Sequence, residues 1–276
     1  MYAETPTKGG NVIKKIQRLG LTENPFLPYP DGRFFFPCTE HQTLYQEVLR
    51  LITEKRKRCI ALIRGDAGTG KSILARRLAG VAFPGSDVEA TGILLQGEYF
   101  TPTALVRQIN AELGVPTERT YEGRMVMLRA EVEKMGARGE SLFLSMDATI
   151  KPEAVNAIIE MAGWHLNHQH LVQMAIFSSD NVFALEEKRP ALTQYVGFRN
   201  TLGPLTWRSA TDLIDARVRM AGRIAPFFTD DALDSLIEVS RGIPGNIIHI
   251  ANRALQIIMD NNEEIITEAT ILAAAE

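Results

Sequence analysis

The sequence predicts an α/β protein of three layers, a parallel sheet with helices on both faces, followed by a small helical lid. Three observations predict it. Four short apolar runs alternate with segments of helical periodicity, and one of those runs leads straight into a glycine-rich loop. After Thr206 the strand pattern stops and only helical periodicity continues. Strands separated by helices favour parallel pairing, because each crossover has to return across a face of the sheet.

Residues 1–12 are polar and glycine-rich and are expected to be flexible. Asn24-Pro25-Phe26-Leu27-Pro28-Tyr29-Pro30-Asp31-Gly32 carries too many prolines for a regular helix. From Glu40 onward Leu44, Val48, Leu51 and Ile52 fall at i, i+4, i+7 and i+8, which predicts a helix running into the basic stretch Lys55-Arg56-Lys57-Arg58. Cys59 to Ile63 reads as the first strand and Ser72 to Val81 as the helix after the glycine-rich loop. Gly92 to Leu95 is the second strand. Thr101 to Leu113, opened by Thr101-Pro102, and Met125 to Met135 are the next helices. Ser141 to Met146 is the third strand, stopped by Asp147; Pro152 to His165 is helical, and Leu171 to Phe177 is the fourth strand. Ser209 to Ala221, Thr229 to Ser240, Asn246 to Met259 and a short segment after Thr267 complete the helical portion. The expected division is a flexible 1–12, an α/β core over 13–205 and a helical lid over 206–276.

Composition narrows the function classes. Hydrophobic residues at 45% and charged residues at 23% exclude a disordered chain, a collagen-like fibre and a coiled-coil rod. Thirty basic and 33 acidic side chains give a net charge of -3, so a nucleic-acid surface would have to be local. Cys38 and Cys59 are too few for a disulfide scaffold and fit a reducing compartment. No run approaches the roughly 18 apolar residues of a membrane helix, and Met1 to Gly10 has no apolar core of the secretory kind. A cytoplasmic protein is expected.

Gly65-Asp66-Ala67-Gly68-Thr69-Gly70-Lys71-Ser72 satisfies G-x-x-x-x-G-K-[ST] in full. Glycines let successive backbone N–H groups curl around phosphate oxygens, Lys71 brings a positive charge to the outer phosphates, and the Ser72 hydroxyl can ligate Mg²⁺. The helix that starts here turns its positive end toward the nucleotide. An apolar strand before the loop and a helix after it are the context this motif requires. Gly65 through Ser72, with Ile73, are therefore the candidate nucleotide-contacting residues. Asp147, at the end of a buried strand, is the candidate partner of Ser72 at the metal. Arg199, in Gly197-Phe198-Arg199-Asn200, reads either as a surface arginine or as one that reaches a neighbouring subunit's γ-phosphate. Ser178-Ser179-Asp180 follow the fourth strand at the carboxyl edge, where parallel sheets bind ligands. Among weaker signals, Lys55 to Arg58 is either a solvated helix end or a contact for a nucleic-acid backbone. His165, His168 and His170 lack zinc-like partners. Trp164 and Trp207 read as packing residues, and Phe34-Phe35-Phe36 as core or adenine-pocket lining.

With these residues in place, the chain resembles the bacterial AAA+ ATPases of the ExeA/GspA type, relatives of the pilus-associated MshM proteins and of the transposition ATPases TniB, TnsC and MuB. The resemblance runs from about Gly20 to Met259. Gly20-Leu21-Thr22-Glu23-Asn24-Pro25-Phe26 is similar to the family's opening box, and so is Asp31-Gly32-Arg33-Phe34-Phe35-Phe36 with the helix containing His41; such a box packs around the adenine. Asp212 to Gly222 resembles the first lid helix. Phe228-Thr229-Asp230-Asp231-Ala232-Leu233 and Ser240-Arg241-Gly242-Ile243-Pro244 resemble the segments that follow it.

Two departures stand out. The family's Asp-Glu pair is Asp147-Ala148 here, and a methyl group neither accepts a proton nor orients a water. Either another acid serves, with Asp180 and Glu98 as candidates, or hydrolysis is slow, or the alanine is an engineered substitution that traps bound nucleotide. The sensor arginine expected after Gly-Ile-Pro is Gly245, with Arg241 as a substitute four residues earlier. The peptidoglycan-binding segment of many ExeA-type proteins is not expected in a chain that stops at Glu276.

The resemblance implies ATP and Mg²⁺ as ligands, bound against Gly65–Ser72 beneath the lid. It also implies a homo-oligomeric ring or filament in which Arg199 completes the neighbour's site. The function it implies is an assembly or regulatory ATPase of weak turnover, acting on a secretion or pilus machine from the cytoplasm or peripherally at the inner membrane. Two alternatives stand beside it: a transposition regulator that polymerises on duplex DNA, and a scaffold that binds nucleotide without hydrolysing it.

Overall fold

The computed structural model describes residues 8–27, 38–55, 58–80, 90–116 and 118–276, with backbone alone at 8–11, 98 and 99. The chain divides into two compact units, one formed by residues 41–202 and the other by residues 1–40 with 203–276. In chain order the described elements are α1 (Lys8–Arg18), α2 (Thr39–Thr53), β1 (Ile60–Gly65), α3 (Lys71–Ala79), β2 (Ala90–Phe100), α4 (Pro102–Glu112), α5 (Tyr121–Ala137), β3 (Ser141–Ile150), α6 (Val155–Ala162), β4 (His165–Leu166), β5 (Gln169–His170), β6 (Val172–Ser178), α7 (Ala184–Lys188), β7 (Val196–Leu202), α8 (Trp207–Met220), α9 (Asp230–Ser240), α10 (Pro244–Asn261) and α11 (Glu268–Ala275).

The larger unit is the expected α/β sandwich. Its sheet has five strands in the order β2-β3-β6-β1-β7, every pair parallel. Because side chains alternate across a strand, each strand serves two cores. The even-numbered residues of β3, Leu142, Leu144 and Met146, pack with Leu105, Val106 and Ile109 of α4, Leu128 and Val132 of α5 and Ile158 of α6. The odd-numbered face looks to α3, where the Ser145 hydroxyl donates to the Ala75 carbonyl at 2.8 Å. Val172 to Ser178 is buried throughout, as a central parallel strand requires.

Three features were not read from the sequence. β7 is a fifth strand at the sheet edge; its burial alternates along Val-Gly-Phe-Arg-Asn-Thr-Leu, and its exposed polar positions hide the strand signal. His165 to His170 forms a tight hairpin in which Asn167 and His168 both take positive φ, 51° and 63°, the backbone of a primed two-residue turn. β3 also runs on past Asp147 to Ile150, paired with β2 through Ile150↔Phe100.

The smaller unit is helical, with a core of its own. Ile214, Ala232, Leu236, Ile247, Ala251, Leu255, Ile258 and Ile271 are fully buried there. Threonine hydroxyls cap three of its helices: Thr206, Thr229 and Thr267 accept from the backbone N–H of Ser209, Ala232 and Thr270. α1 begins at Lys8, inside the stretch expected to be flexible. The sequence reading groups residues 13–40 with the α/β core, but of these the described residues 13–27 and 38–40 fall in the helical unit. Phe26 shows why: its fully buried ring stacks on Phe227 at 6.5 Å and meets the edge of Phe228 at 5.8 Å. The adjoining Pro25 carbonyl accepts from the buried Arg217 guanidinium at 2.9 Å.

Candidate functional site

The site begins where β1 ends. Ile60 to Ile63 are fully buried between β6 and β7, so the strand delivers Gly65 at a fixed point on the carboxyl edge of the sheet. The loop then closes on itself. Thr69 donates from its N–H and its hydroxyl to the Asp66 carbonyl, at 3.3 and 2.9 Å. A Cβ on Gly65 would lie 2.6 Å from the Thr69 hydroxyl, so only glycine fits there. Gly68 and Gly70 have φ of 81° and 98°, the left-handed region that glycine occupies at no steric cost. Gly70 is the N-cap of α3, and its φ turns the chain into that helix.

Lys71 is buried and spans the base of the loop. Its ammonium donates to the Gly65 carbonyl at 2.6 Å and to the Asp66 carbonyl at 2.8 Å. An ammonium has three protons, so one donor is left for a ligand. Burial pushes the Lys71 pKa down, while the carboxylates of Asp147 and Asp66 pull it up. A buried cation facing the carboxylates of Asp147 and Asp66 with a donor to spare is a ready place for phosphate. Ser72 is exposed in the first turn of α3 and Ile73 is half-buried; Asp66, Ala67 and Gly68 are exposed.

Asp147 lies on the face of β3 that looks to α3. Register sets Asp147 level with Phe177 of β6, and Phe177 level with Ile63 of β1, so Asp147 stands two rows before Gly65, where the phosphate strand ends. Gln96 of β2, directly opposite, donates to Asp147 Oδ2 at 3.4 Å and accepts from Arg76 of α3 at 3.4 Å. The donor set of Lys71, Ser72 and Asp147 together with the curled loop fits a nucleoside polyphosphate with a divalent cation.

Ala148 falls on the other face. It is buried with Ile150, Phe100 and Leu105, in the core against α4 to α6, and its Cβ points away from α3. The missing carboxylate is thus a matter of direction as well as residue type, because β3 stays extended and paired through this position. Thr149, back on the α3 face, donates to Asp180 Oδ2 at 3.3 Å. Asp180 follows β6, and its N–H donates to the Ser178 hydroxyl at 3.2 Å. Of the two acids named from the sequence, Asp180 is thereby tied to the end of β3; the side chain of Glu98 lies outside the described residues.

Arg199 sits in mid-strand on β7, level with Leu62. Both ends of its guanidinium donate to Glu186 of α7, Nε to Oε2 at 2.6 Å and Nη2 to Oε1. That bidentate bond raises the arginine pKa further. Glu186 was not singled out from the sequence; its partner is 13 residues away, with no pattern linking them. His41 was named only as part of a box, and the structure puts its Nε2 2.9 Å from the Thr69 carbonyl.

The weaker signals resolve differently. Lys55 is buried with its ammonium 3.3 Å from the Gly139 carbonyl, and Arg58 donates to the Val196 carbonyl at 2.8 Å; Arg56 and Lys57 lie outside the described residues. The rings of His165 and His170 lie 4.0 Å apart, tilted at 45°, with each Nδ1 on a backbone carbonyl. Among the described residues no three metal-binding side chains gather. Trp164 is buried, but Trp207 is 56% exposed, its Nε1 donating to Asp234 at 2.7 Å, and so is not a core residue. Phe34 to Phe36 lie outside the described residues.

No family model matches the chain. Over 245 residues, 87% of the chain, it is 23% identical to the General secretion pathway protein A of Aeromonas hydrophila, and it spans 44% of that protein. The ORC2 protein of Aeropyrum pernix, solved as ADPNP–ADP complexes, matches with a TM-score of 0.65 at 14% identity, over 86% of this chain and 66% of that one. The Drosophila ORC bound to DNA matches with a TM-score of 0.62 at 16% identity, over 100% of this chain and 68% of that one. The fold is that of the AAA+ ATPases, and the resemblance to the ExeA/GspA type read from the residues is borne out. No described helix is long and apolar enough to cross a membrane.

Proposed function

We propose that this chain, an AAA+ ATPase similar to a secretion-pathway protein, binds ATP with Mg²⁺ on Gly65–Ser72 and serves as a nucleotide-gated assembly factor for a protein machine. The observation that carries the reading is Lys71, a buried ammonium fixed on two loop carbonyls with a donor to spare. In this reading the backbone N–H groups of the loop and Lys71 hold the phosphates, Ser72 and Asp147 hold the cation, and the cation neutralises charge on the outer phosphates. Ile73, the next residue of α3, is half-buried. ATP orders a homo-oligomer, ring or filament, in which Arg199 exchanges Glu186 for the neighbour's phosphate. The relative's name supports a secretion machine as the partner; a pilus machine, and contact from the cytoplasm or at the membrane surface, belong to the same proposal.

Turnover is slow in this proposal, because the position after Asp147 offers a methyl group on the far face of β3. The same observation favours a second reading, a scaffold for which ATP is a structural ligand. A DNA-polymerising regulator draws support from a structural neighbour bound to DNA, but Lys55 and Arg58 are already turned to backbone carbonyls. Phosphate release and light scattering on the purified chain with ATP·Mg²⁺, with and without duplex DNA, test all three. Assembly with ATP alone and low, steady release supports the assembly factor. Assembly with no release above Lys71→Ala supports the scaffold, and assembly that needs DNA supports the regulator. No binding of ATP overturns the proposal.

A further inference from the structure

His41 lies in the first turn of α2, only 5% exposed, with its Nε2 2.9 Å from the Thr69 carbonyl. A carbonyl only accepts, so the bond requires the proton on Nε2. Every described peptide bond is trans, and a trans peptide holds its C=O and N–H antiparallel in one plane. Fixing the Thr69 carbonyl toward α2 therefore turns the Gly70 N–H the opposite way. The buried imidazole fills the space on the carbonyl side, so the N–H side is the one left for a ligand. The fit is close: a Cβ on Gly70 would lie 2.7 Å from His41 Nε2. Gly70 also has no side-chain cap to hold it, and its left-handed φ of 98° is one that a free glycine leaves readily.

We infer that His41 is the positioning residue of the phosphate loop: by holding the Thr69–Gly70 peptide plane it aims the Gly70 N–H at the nucleotide's phosphates. This rests on the nucleotide-binding reading above. The sequence gives the loop its donors, and the pre-set plane spares the ligand the entropy of ordering that peptide. His41 does not touch the ligand; it acts through the backbone.

The test separates the imidazole's hydrogen bond from its volume. The fluorescent nucleotide mant-ADP with Mg²⁺ is titrated into the full chain and into His41→Leu and His41→Gln, each checked for folding by its melting curve. Leucine fills the space without a donor; glutamine keeps an N–H at similar reach. The expected result is about tenfold weaker binding for His41→Leu, with recovery to within about threefold in His41→Gln. Wild-type affinity in His41→Leu overturns the inference, and so does a glutamine variant as weak as the leucine one. Should either variant fail to fold, ¹⁵N spectra of the wild-type imidazole decide: a neutral ring protonated on Nδ1 overturns the inference, and one protonated on Nε2, with a Gly70 amide resonance that moves on adding ADP, supports it. Failure of the nucleotide reading looks different, since wild type would bind no mant-ADP at all or would bind it as well as Lys71→Ala does.

Discussion

The ends of β1 and β3 lie two strands apart on the same sheet edge, yet they are built to different standards. After β1 the loop proposed to hold phosphate is locked: Gly65 is closely packed, Thr69 closes the loop, Lys71 is pinned on two carbonyls and His41 meets the Thr69 carbonyl. At the end of β3, Asp147 and Thr149 lie on the α3 face. Ala148 points into the core, and the polar groups beyond it, Thr149 and Asp180, are tied to each other on the exposed side. Holding a nucleotide and activating a water are separate tasks with separate residues, and in the proposed reading this chain is equipped for the first alone.

The largest effect comes from forcing the second end to resemble its relatives. Ala148→Glu places a carboxylate in the apolar core that also holds Ile150, Phe100 and Leu105. Burying an unpaired charge costs on the order of 3 kcal/mol or more, so the melting temperature is expected to fall by roughly ten degrees with no rise in phosphate release. A variant that melts like wild type and hydrolyses ATP many-fold faster would break the comparison, since the side chain would then have found the α3 side.

Next is Lys71→Ala. Charge-assisted hydrogen bonds contribute about 1.5–3 kcal/mol each, and the substitution removes both the loop's brace and the phosphate's counter-charge. About 100-fold weaker binding of mant-ATP is expected, with the fold intact by circular dichroism. The same lysine sets a pH signature. Burial disfavours its charged form and lowers its pKa, so affinity is complete below that lowered value and is lost as pH rises through it, before an ordinary lysine would discharge. Affinity that stays constant up to the ordinary lysine range would mean that phosphate binding does not depend on this ammonium.

How much of this was legible follows the same division. The loop was readable because its chemistry is local: eight consecutive residues carry the donors, the turn conformers and the helix start. Asp147 was readable as a polar residue ending an apolar run. The direction of Ala148 was not, because it depends on whether β3 stops or continues, and continuation is decided by pairing with Phe100, far off in sequence. β7 and the Arg199–Glu186 pair stayed hidden for a related reason, since an edge strand needs little apolar sequence and an ion pair across 13 residues has no period. Phe26 was read as part of a box, but which unit it would join was set by Phe227 and Phe228 at the other end of the chain.

The smallest expected effect asks whether the incomplete end has any substitute. Asp180 is exposed, stands beyond β6 beside the phosphate strand, and accepts from Thr149. If it orients water, Asp180→Asn lowers single-turnover phosphate release roughly tenfold, less than the roughly 100-fold or more of a well-positioned acid or base, because the carboxylate is exposed and shared with Thr149, while mant-ATP affinity is unchanged. Thr149→Val then has a smaller effect in the same direction, because it frees the carboxylate without removing it. Equal release from Asp180→Asn and wild type would leave the sheet edge with no water-activating group among these residues. The chain would then be a binder whose bound ATP persists, and the duration of any assembly it forms would be set by nucleotide dissociation in place of chemistry.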